Sequence, residues 1–135
     1  MQFGYKGLRV YQLSYQLAQR IFQLTKTFPS EEKYSLISQI RNSSRSVVAN
    51  IAEGYRKRKY PRHFALKMTE ADGEGTETQV WLDMSKDCGY ISNEEHIELV
   101  NSYQAVGDML GKMIEHPEKF TPKSNYKDQK KNKSN

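Results

Sequence analysis

Arg41, Arg45, Arg56, Lys57, Arg58, Lys59 and Arg62 crowd one short stretch of the chain, opposed there by Glu53 alone. Guanidinium and ammonium groups at that density suit the neutralisation of phosphates, a task that needs closely spaced positive charge and no nucleophile. Arg45 follows Arg41 by four positions, and Arg56 follows Arg45 by eleven, about three helical turns. A helix that persists to Arg56 therefore carries all three on one face and leads them into the Lys57 to Arg62 cluster. Tyr55 and Tyr60 flank that cluster, and aromatic rings so placed can stack on unpaired bases. The competing reading is a charged connector and a solvated helix face that do no more than keep the protein soluble.

Other residue types point to structure before chemistry. Asn50 and Glu53, one turn apart, suit a satisfied polar network that fixes helix register or subunit contacts. Glu70, Glu74 and Glu77 share a helical face and invite a metal hypothesis. A di-iron bundle, however, uses Glu-x-x-His pairs, and Tyr60, Asn93 and Met113 stand three residues before His63, His96 and His116. No metal and no cofactor is expected, and the acidic face reads as a partner for arginines on a neighbouring helix or subunit. Cys88 lies beside Gly89 with no histidine close in sequence, and neither a Gly-x-Ser-x-Gly elbow nor a phosphate-cradling glycine loop is present. No catalytic residue is assigned, and the expectation is a protein that is not an enzyme.

The elements that must carry these groups follow from hydrophobic spacing. Tyr11, Leu13, Leu17, Ala18, Ile21, Phe22 and Leu24 recur at helical intervals from Leu8 to Thr25, and Phe28-Pro29 ends that run in a turn. Ser30, with Glu31 and Glu32, reads as the start of a second helix. Its apolar or small residues, from Leu36 and Ile37 through Ile40, Ser43, Ser44, Val47, Val48, Ile51 and Ala52, cover two adjoining faces, and Gly54 is placed to stop it. Pro61 suits the first position of a third helix, whose buried line is Phe64, Met68, Ala71, Gly75, Thr78, Leu82 and Ser85. Gly73 and Gly75 inside it suggest close helix packing, since each costs about 1 kcal/mol relative to alanine. After Cys88-Gly89-Tyr90-Ile91, Ser92 and Glu95 form a capping box for a fourth helix with Val100, Tyr103, Gly107, Leu110 and Ile114 on its seam. His116-Pro117 ends it.

These patterns predict an all-α, antiparallel up-down-up-down four-helix bundle over residues 1–120 and a disordered Lys-rich tail over 121–135. The chain has 135 residues, 21 Lys+Arg against 16 Asp+Glu and a formal charge of +5, enough for one self-sufficient core and too little for two. In the tail, Lys123, Lys127, Lys130, Lys131 and Lys133 face Asp128 alone, so charge is polarised along the chain. Cys88 is the only cysteine, which excludes an internal disulfide. No apolar run approaches the roughly eighteen residues that span a bilayer. The expectation is a cytoplasmic protein with neither a signal peptide nor a membrane partner.

Phe28-Pro29 with Glu31-Glu32, Leu36 with Gln39-Ile40-Arg41, Ser46 with Asn50-Ile51-Ala52-Glu53-Gly54, and Val80-Trp81-Leu82 through Cys88-Gly89-Tyr90-Ile91 occur in order along the chain. Over Leu8 to Ile114 the sequence resembles the bacterial four-helix-bundle family known from open reading frames in 23S ribosomal RNA intervening sequences. The resemblance implies a bundle that associates into a ring-like homopentamer and has no catalytic activity. A more distant similarity, to the accessory proteins of diversity-generating retroelements, implies nucleic acid and a reverse transcriptase as partners. The chain departs from the family pattern at Tyr60, where a small capping residue is common, in its strongly basic connector and in its Lys-rich tail.

The leading expectation is a non-enzymatic, oligomeric nucleic-acid-binding protein that prefers RNA to DNA and uses the basic surface between the second and third helices. The alternative is a protein-interaction scaffold serving a polymerase.

Overall fold

Periodic apolar residues become four helices where caps and turn residues allow: α1 (Arg9–Thr25), α2 (Leu36–Arg56), α3 (Pro61–Asp87) and α4 (Asn93–Glu115). The computed structural model describes residues 4–122, so most of the expected disordered tail lies outside the described residues. Short 3₁₀ turns at Gly4–Gly7, Ser30–Glu32 and Pro117–Lys119 complete the elements, and no strand occurs among the described residues. None of the helices there is long and apolar enough to cross a membrane. The all-α four-helix architecture expected from the periodicity is the one found.

Residue pairs across the helix contacts give the helix directions. Between α2 and α3, Glu53 meets Lys67, Val47 lies opposite Gly75, and Ser43 meets Thr78, so residue numbers rise on one helix as they fall on the other. The same holds between α3 and α4, where Asp72, Gly75 and Asp83 lie against Gly107, Tyr103 and His96. On α1, Arg20 pairs with Glu98 of α4, and Thr25 accepts a hydrogen bond from Arg41 of α2 at 2.8 Å. The core between the helices is filled by Ile21, Ile40, Val47, Ile51, Phe64, Met68, Leu82, Leu99 and Leu110, all essentially without exposure.

The helix ends show where local rules hold. Ser92 Oγ accepts from the Glu95 N–H at 3.1 Å, and the Glu95 carboxylate accepts from the Ser92 N–H at 2.9 Å, forming the expected capping box. Gly89 takes φ +76° after α3, where the Gly89 and Tyr90 N–H groups satisfy the carbonyls of Lys86 and Ser85, each at 2.9 Å. Cys88, the capping residue there, is exposed. Pro61 opens α3, and its buried line is the seven residues the spacing selected.

Four local expectations need correction. Ser30 opens only a 3₁₀ turn, and α2 begins at Leu36, because the chain folds back once between buried Phe28 and buried Leu36. Gly54 does not stop α2, which continues to Arg56. It serves a close approach: a Cβ there would lie 2.5 Å from Met68 Cε and 2.9 Å from Lys67 Cβ. Gly73 is not at a close contact within the chain, since nothing lies within 4 Å of where its Cβ would be. On α4, Leu99, Val106 and Met113 turn inward with Tyr103 and Leu110, leaving Val100, Gly107 and Ile114 half-buried. Val106 has apolar surface to bury and Gly107 has none, which decides the rotation of that helix.

The Gly54 contact carries a prediction. Gly54→Ala should destabilise the chain by about 1–2 kcal/mol, because forcing α2 and α3 apart outweighs the gain in helix propensity. Urea unfolding of the two proteins would show it, and equal midpoints would disprove the close approach.

At one end of the bundle the α1–α2 and α3–α4 connections clasp each other. The Phe28 and Tyr90 rings lie 5.1 Å apart, and the Tyr90 hydroxyl donates to Glu32 at 2.9 Å. Hydrogen bonds from Ser35 and then Tyr90 hold the Glu32 carboxyl below its ordinary 4.5. The bond to Glu32 is the main reason that the Tyr90 phenol is pushed up to about 12. A depressed carboxyl contributes stability above its unfolded value that is lost as pH falls. A raised phenol contributes stability below 10 that is lost as pH rises through 12. The destabilisation caused by Tyr90→Phe should therefore be level from about pH 5 to about pH 10 and shrink on either side, as melts across a pH series would show.

At the other end, Phe120 stacks on Phe64 with ring centroids 5.7 Å apart. Thr121 is buried and donates from its hydroxyl to the Pro117 carbonyl at 3.1 Å, so packing reaches past Phe120.

Candidate nucleic-acid interface

The basic connector is shaped by its own backbone bonds. Lys57 N–H bonds to the Gly54 carbonyl at 2.9 Å, and Tyr60 N–H to the Lys57 carbonyl at 2.8 Å, closing a tight link into Pro61. Arg58 folds back over this link: its Nε donates to the Tyr55 carbonyl at 3.0 Å, and its guanidinium carbon sits 3.7 Å from the Tyr55 ring centroid. One arginine thus satisfies an end carbonyl of α2, places its charge at the negative end of the helix dipole and covers an aromatic face.

The 3₁₀ turn at Gly4–Gly7 packs beside this corner. Gly4 adopts φ +71°, a conformation that favours glycine, and lies against Tyr55. Tyr5 and Lys6 thereby join Tyr55, Arg56, Arg58 and Lys59 around an open cleft of about 740 Å³, closed at one side by Pro122. Four cations line it and, among the described residues, no carboxylate does. A concave surface lined by one sign of charge concentrates its field and attracts polyanions.

The remaining candidates are dispersed. Arg41 is half-buried, donating from Nε to Thr25 Oγ1 at 2.8 Å and from an Nη to the Phe22 carbonyl at 3.3 Å. Its guanidinium lies 4.6 Å from the Phe22 ring centroid, and that of Arg45 lies 5.4 Å from the same ring. Arg41 is therefore engaged in fastening α2 to α1, while Arg45 is exposed. Although α2 does persist to Arg56, the continuous basic stripe divides into a pair beside Phe22 and a cluster at the far end of α2. Lys57 and Arg62 are exposed and lie outside the cleft lining. Tyr60 also stands outside it, edge-on to His63 at 5.9 Å.

Asn50 and Glu53 do not form one network. Asn50 Nδ2 donates to the Ser46 carbonyl at 2.9 Å on its own helix. Glu53 pairs with Lys67 at 3.0 Å, and Lys67 also reaches Glu70 at 3.2 Å. Glu53 first and Glu70 second push the Lys67 ammonium up, so this bridge between α2 and α3 stays charged. Among the described residues of its own chain the acidic line on α3 meets a lysine and an indole, not an arginine: Glu70 takes Lys67, and Glu77 accepts from Trp81 Nε1 at 3.3 Å. Burial first, and Glu77 next, raise the Glu74 carboxyl.

Spacing alone did not select Tyr5 and Lys6. Their signal is the Gly4-Tyr5-Lys6-Gly7 sequence, in which two glycines bracket an aromatic and a cation, but only the tertiary fold brings that turn to the α2 terminus.

Comparison with known proteins adds a family pattern. The family described as "23S rRNA-intervening sequence protein" matches residues 6–112, a span that includes every basic residue of the cleft but not Gly4, Tyr5 or Pro122. A solved structure of a protein of unknown function from the S23 ribosomal protein family of Bacteroides thetaiotaomicron VPI-5482 is similar at 29% identity and a TM-score of 0.71, covering 78% of this chain and 95% of that one. No curated protein matches.

Proposed function

The chain belongs to the 23S rRNA-intervening sequence protein family, and on that footing we propose that it is a non-enzymatic, oligomeric, cytoplasmic nucleic-acid-binding bundle that prefers RNA to DNA. The observation that carries this reading is the cleft at the α2 terminus, where Lys6, Arg56, Arg58 and Lys59 surround two tyrosines with no acid among the described lining residues. Phosphates supply the binding energy there by counterion release. Anisotropy titrations of a structured RNA and a duplex DNA across a salt series test it, using the full chain and a chain ending at Pro122. Binding with a log–log salt slope of several units, about −0.9 per neutralised phosphate on duplex DNA, that survives removal of the tail is the expected result. Absence of binding at low salt, or its complete loss with the tail, would redirect the search to a protein partner such as a polymerase.

The oligomer is a homopentameric ring, as in the resemblance that the sequence carries. Support comes from apolar side chains left uncovered on α3, where Leu66, Val80 and Met84, each exposed by more than two-fifths, fall on the face that also carries Glu70 and Glu77. Gly73 lies on the same face, and none of the described residues comes within 4 Å of where its Cβ would be. Met84→Glu should reduce the mass measured by light scattering to that of a monomer while leaving the helical content unchanged, because Met84 is about half exposed and lies outside the buried core. In the ring, repeated clefts raise weak phosphate contacts to useful avidity.

A further inference from the structure

The basic cleft does not end at Tyr5. That ring also borders an apolar groove between α1 and α2, and Tyr11 and Tyr15 line both this groove and a third hollow that opens at Lys6. The shared walls make one trough running from Arg56 and Arg58 along the first two turns of α1. Tyr5 and Tyr11 meet edge to face at 5.1 Å, and Tyr11 and Tyr15 are tilted at 5.9 Å. Tyr15 is 48% exposed, at the open end of this tyrosine ladder. Arg45 stands on the opposite wall, and no carboxylate among the described residues lines any of the three hollows.

We propose that this trough receives an unpaired nucleic-acid strand, whose phosphates lie on the Arg56, Arg58 and Lys6 end while its bases stack along Tyr5, Tyr11 and Tyr15. The inference deepens the nucleic-acid reading above and rests on it. Two features of the trough select a single strand over a duplex. A row of aromatic rings offers nothing to paired bases, whose faces are already covered, and binds any exposed base regardless of sequence. The cations, moreover, occupy one end and one wall, leaving the tyrosine row as apolar surface that a phosphate backbone alone would not cover. A helix from a second copy would fit an apolar groove, but the acid-free basic margin is complementary to a polyanion.

The test uses full-length protein with fluorescein-labelled oligouridylate, oligothymidylate and a fully paired hairpin of equal length, and compares Tyr15→Ala with Tyr15→Phe. The exposed position of Tyr15 allows both variants to fold. The expected result is a loss of about ten-fold or more in single-strand affinity for Tyr15→Ala, near-complete retention for Tyr15→Phe, and hairpin affinity unchanged in both. Similar loss on both single strands would show that the ribose hydroxyl is not required, and loss on oligouridylate alone that it is; either supports an unpaired strand. Unchanged single-strand affinity in Tyr15→Ala, or equal losses on hairpin and single strand, would overturn the trough while leaving a basic nucleic-acid interface standing. No binding of any probe at low salt would overturn both readings. A fall in oligomer mass in Tyr15→Ala would assign the groove to a subunit contact and overturn the inference alone.

Discussion

Replacing Arg56, Lys57 and Lys59 together by glutamine should weaken nucleic-acid binding about ten- to a hundred-fold near 0.1 M salt and flatten the log–log salt slope by about two units. Arg56 and Lys59 line the cleft and Lys57 lies between them on the exposed side of the connector. Arg58 is left in place because it holds the Tyr55 carbonyl and covers that ring, so its loss would mix unfolding of the connector with loss of charge. Glutamine keeps stem length and hydrogen-bonding capacity, and circular dichroism with light scattering would confirm an unaltered bundle. An unchanged salt slope in an intact oligomer would remove the cleft as the phosphate-binding surface. Loss of affinity with no change in slope would equally contradict it, since removing phosphate contacts must alter counterion release.

The largest expected effect on stability is at Phe64. Its side chain has no exposure, stacks on Phe120 and sits one turn into α3, where its N–H bonds to the Tyr60 carbonyl at 3.0 Å. Phe64→Ala should cost about 3–5 kcal/mol, the loss of apolar transfer together with the cavity left behind. For a domain of this size that corresponds to melting about 10–20 °C earlier. Ile97→Ala, on α4 and exposed at 57%, should change stability within about 0.5 kcal/mol and serves as the control. A small change for Phe64→Ala would mean that Phe120 and its neighbours refill the space. Because Phe64 lies directly behind the connector, the variant should also lose some affinity below its melting temperature.

Elements that depend on local chemistry were legible in the sequence. The Ser92 and Glu95 cap, the Pro61 start and the seven-residue line on α3 each follow from residues within a turn or two of one another. Gly54 was misread because glycine has two uses, and its value here lies in Met68 and Lys67 of another helix, which no spacing on α2 reveals. The α4 seam was misread for a related reason: Gly107 kept the helical period but contributed no side chain to bury. Of the candidate site, Arg56, Arg58, Lys59 and Tyr55 were legible as a charge run with an aromatic neighbour. Arg41 looked equivalent on helical phase alone, and only the position of α1 shows its guanidinium engaged with Thr25 and Phe22. Tyr5, Lys6, Tyr11 and Tyr15 lie about forty to fifty residues from the basic run, and only antiparallel packing of α1 against α2 makes them one surface with it.

The position of Cys88 has a practical consequence. This single thiol is exposed at the C-terminal cap of α3, whereas the cleft lies beside that helix's first turn, 27 residues and about 40 Å away. A maleimide dye or a biotin linker would react at one place only and would leave the tyrosines and arginines facing solution. Attachment there orients every molecule on a sensor surface with the same end outward. A tag fused near Pro122, by contrast, would sit at the mouth of the cleft and lower the affinity it was meant to help measure.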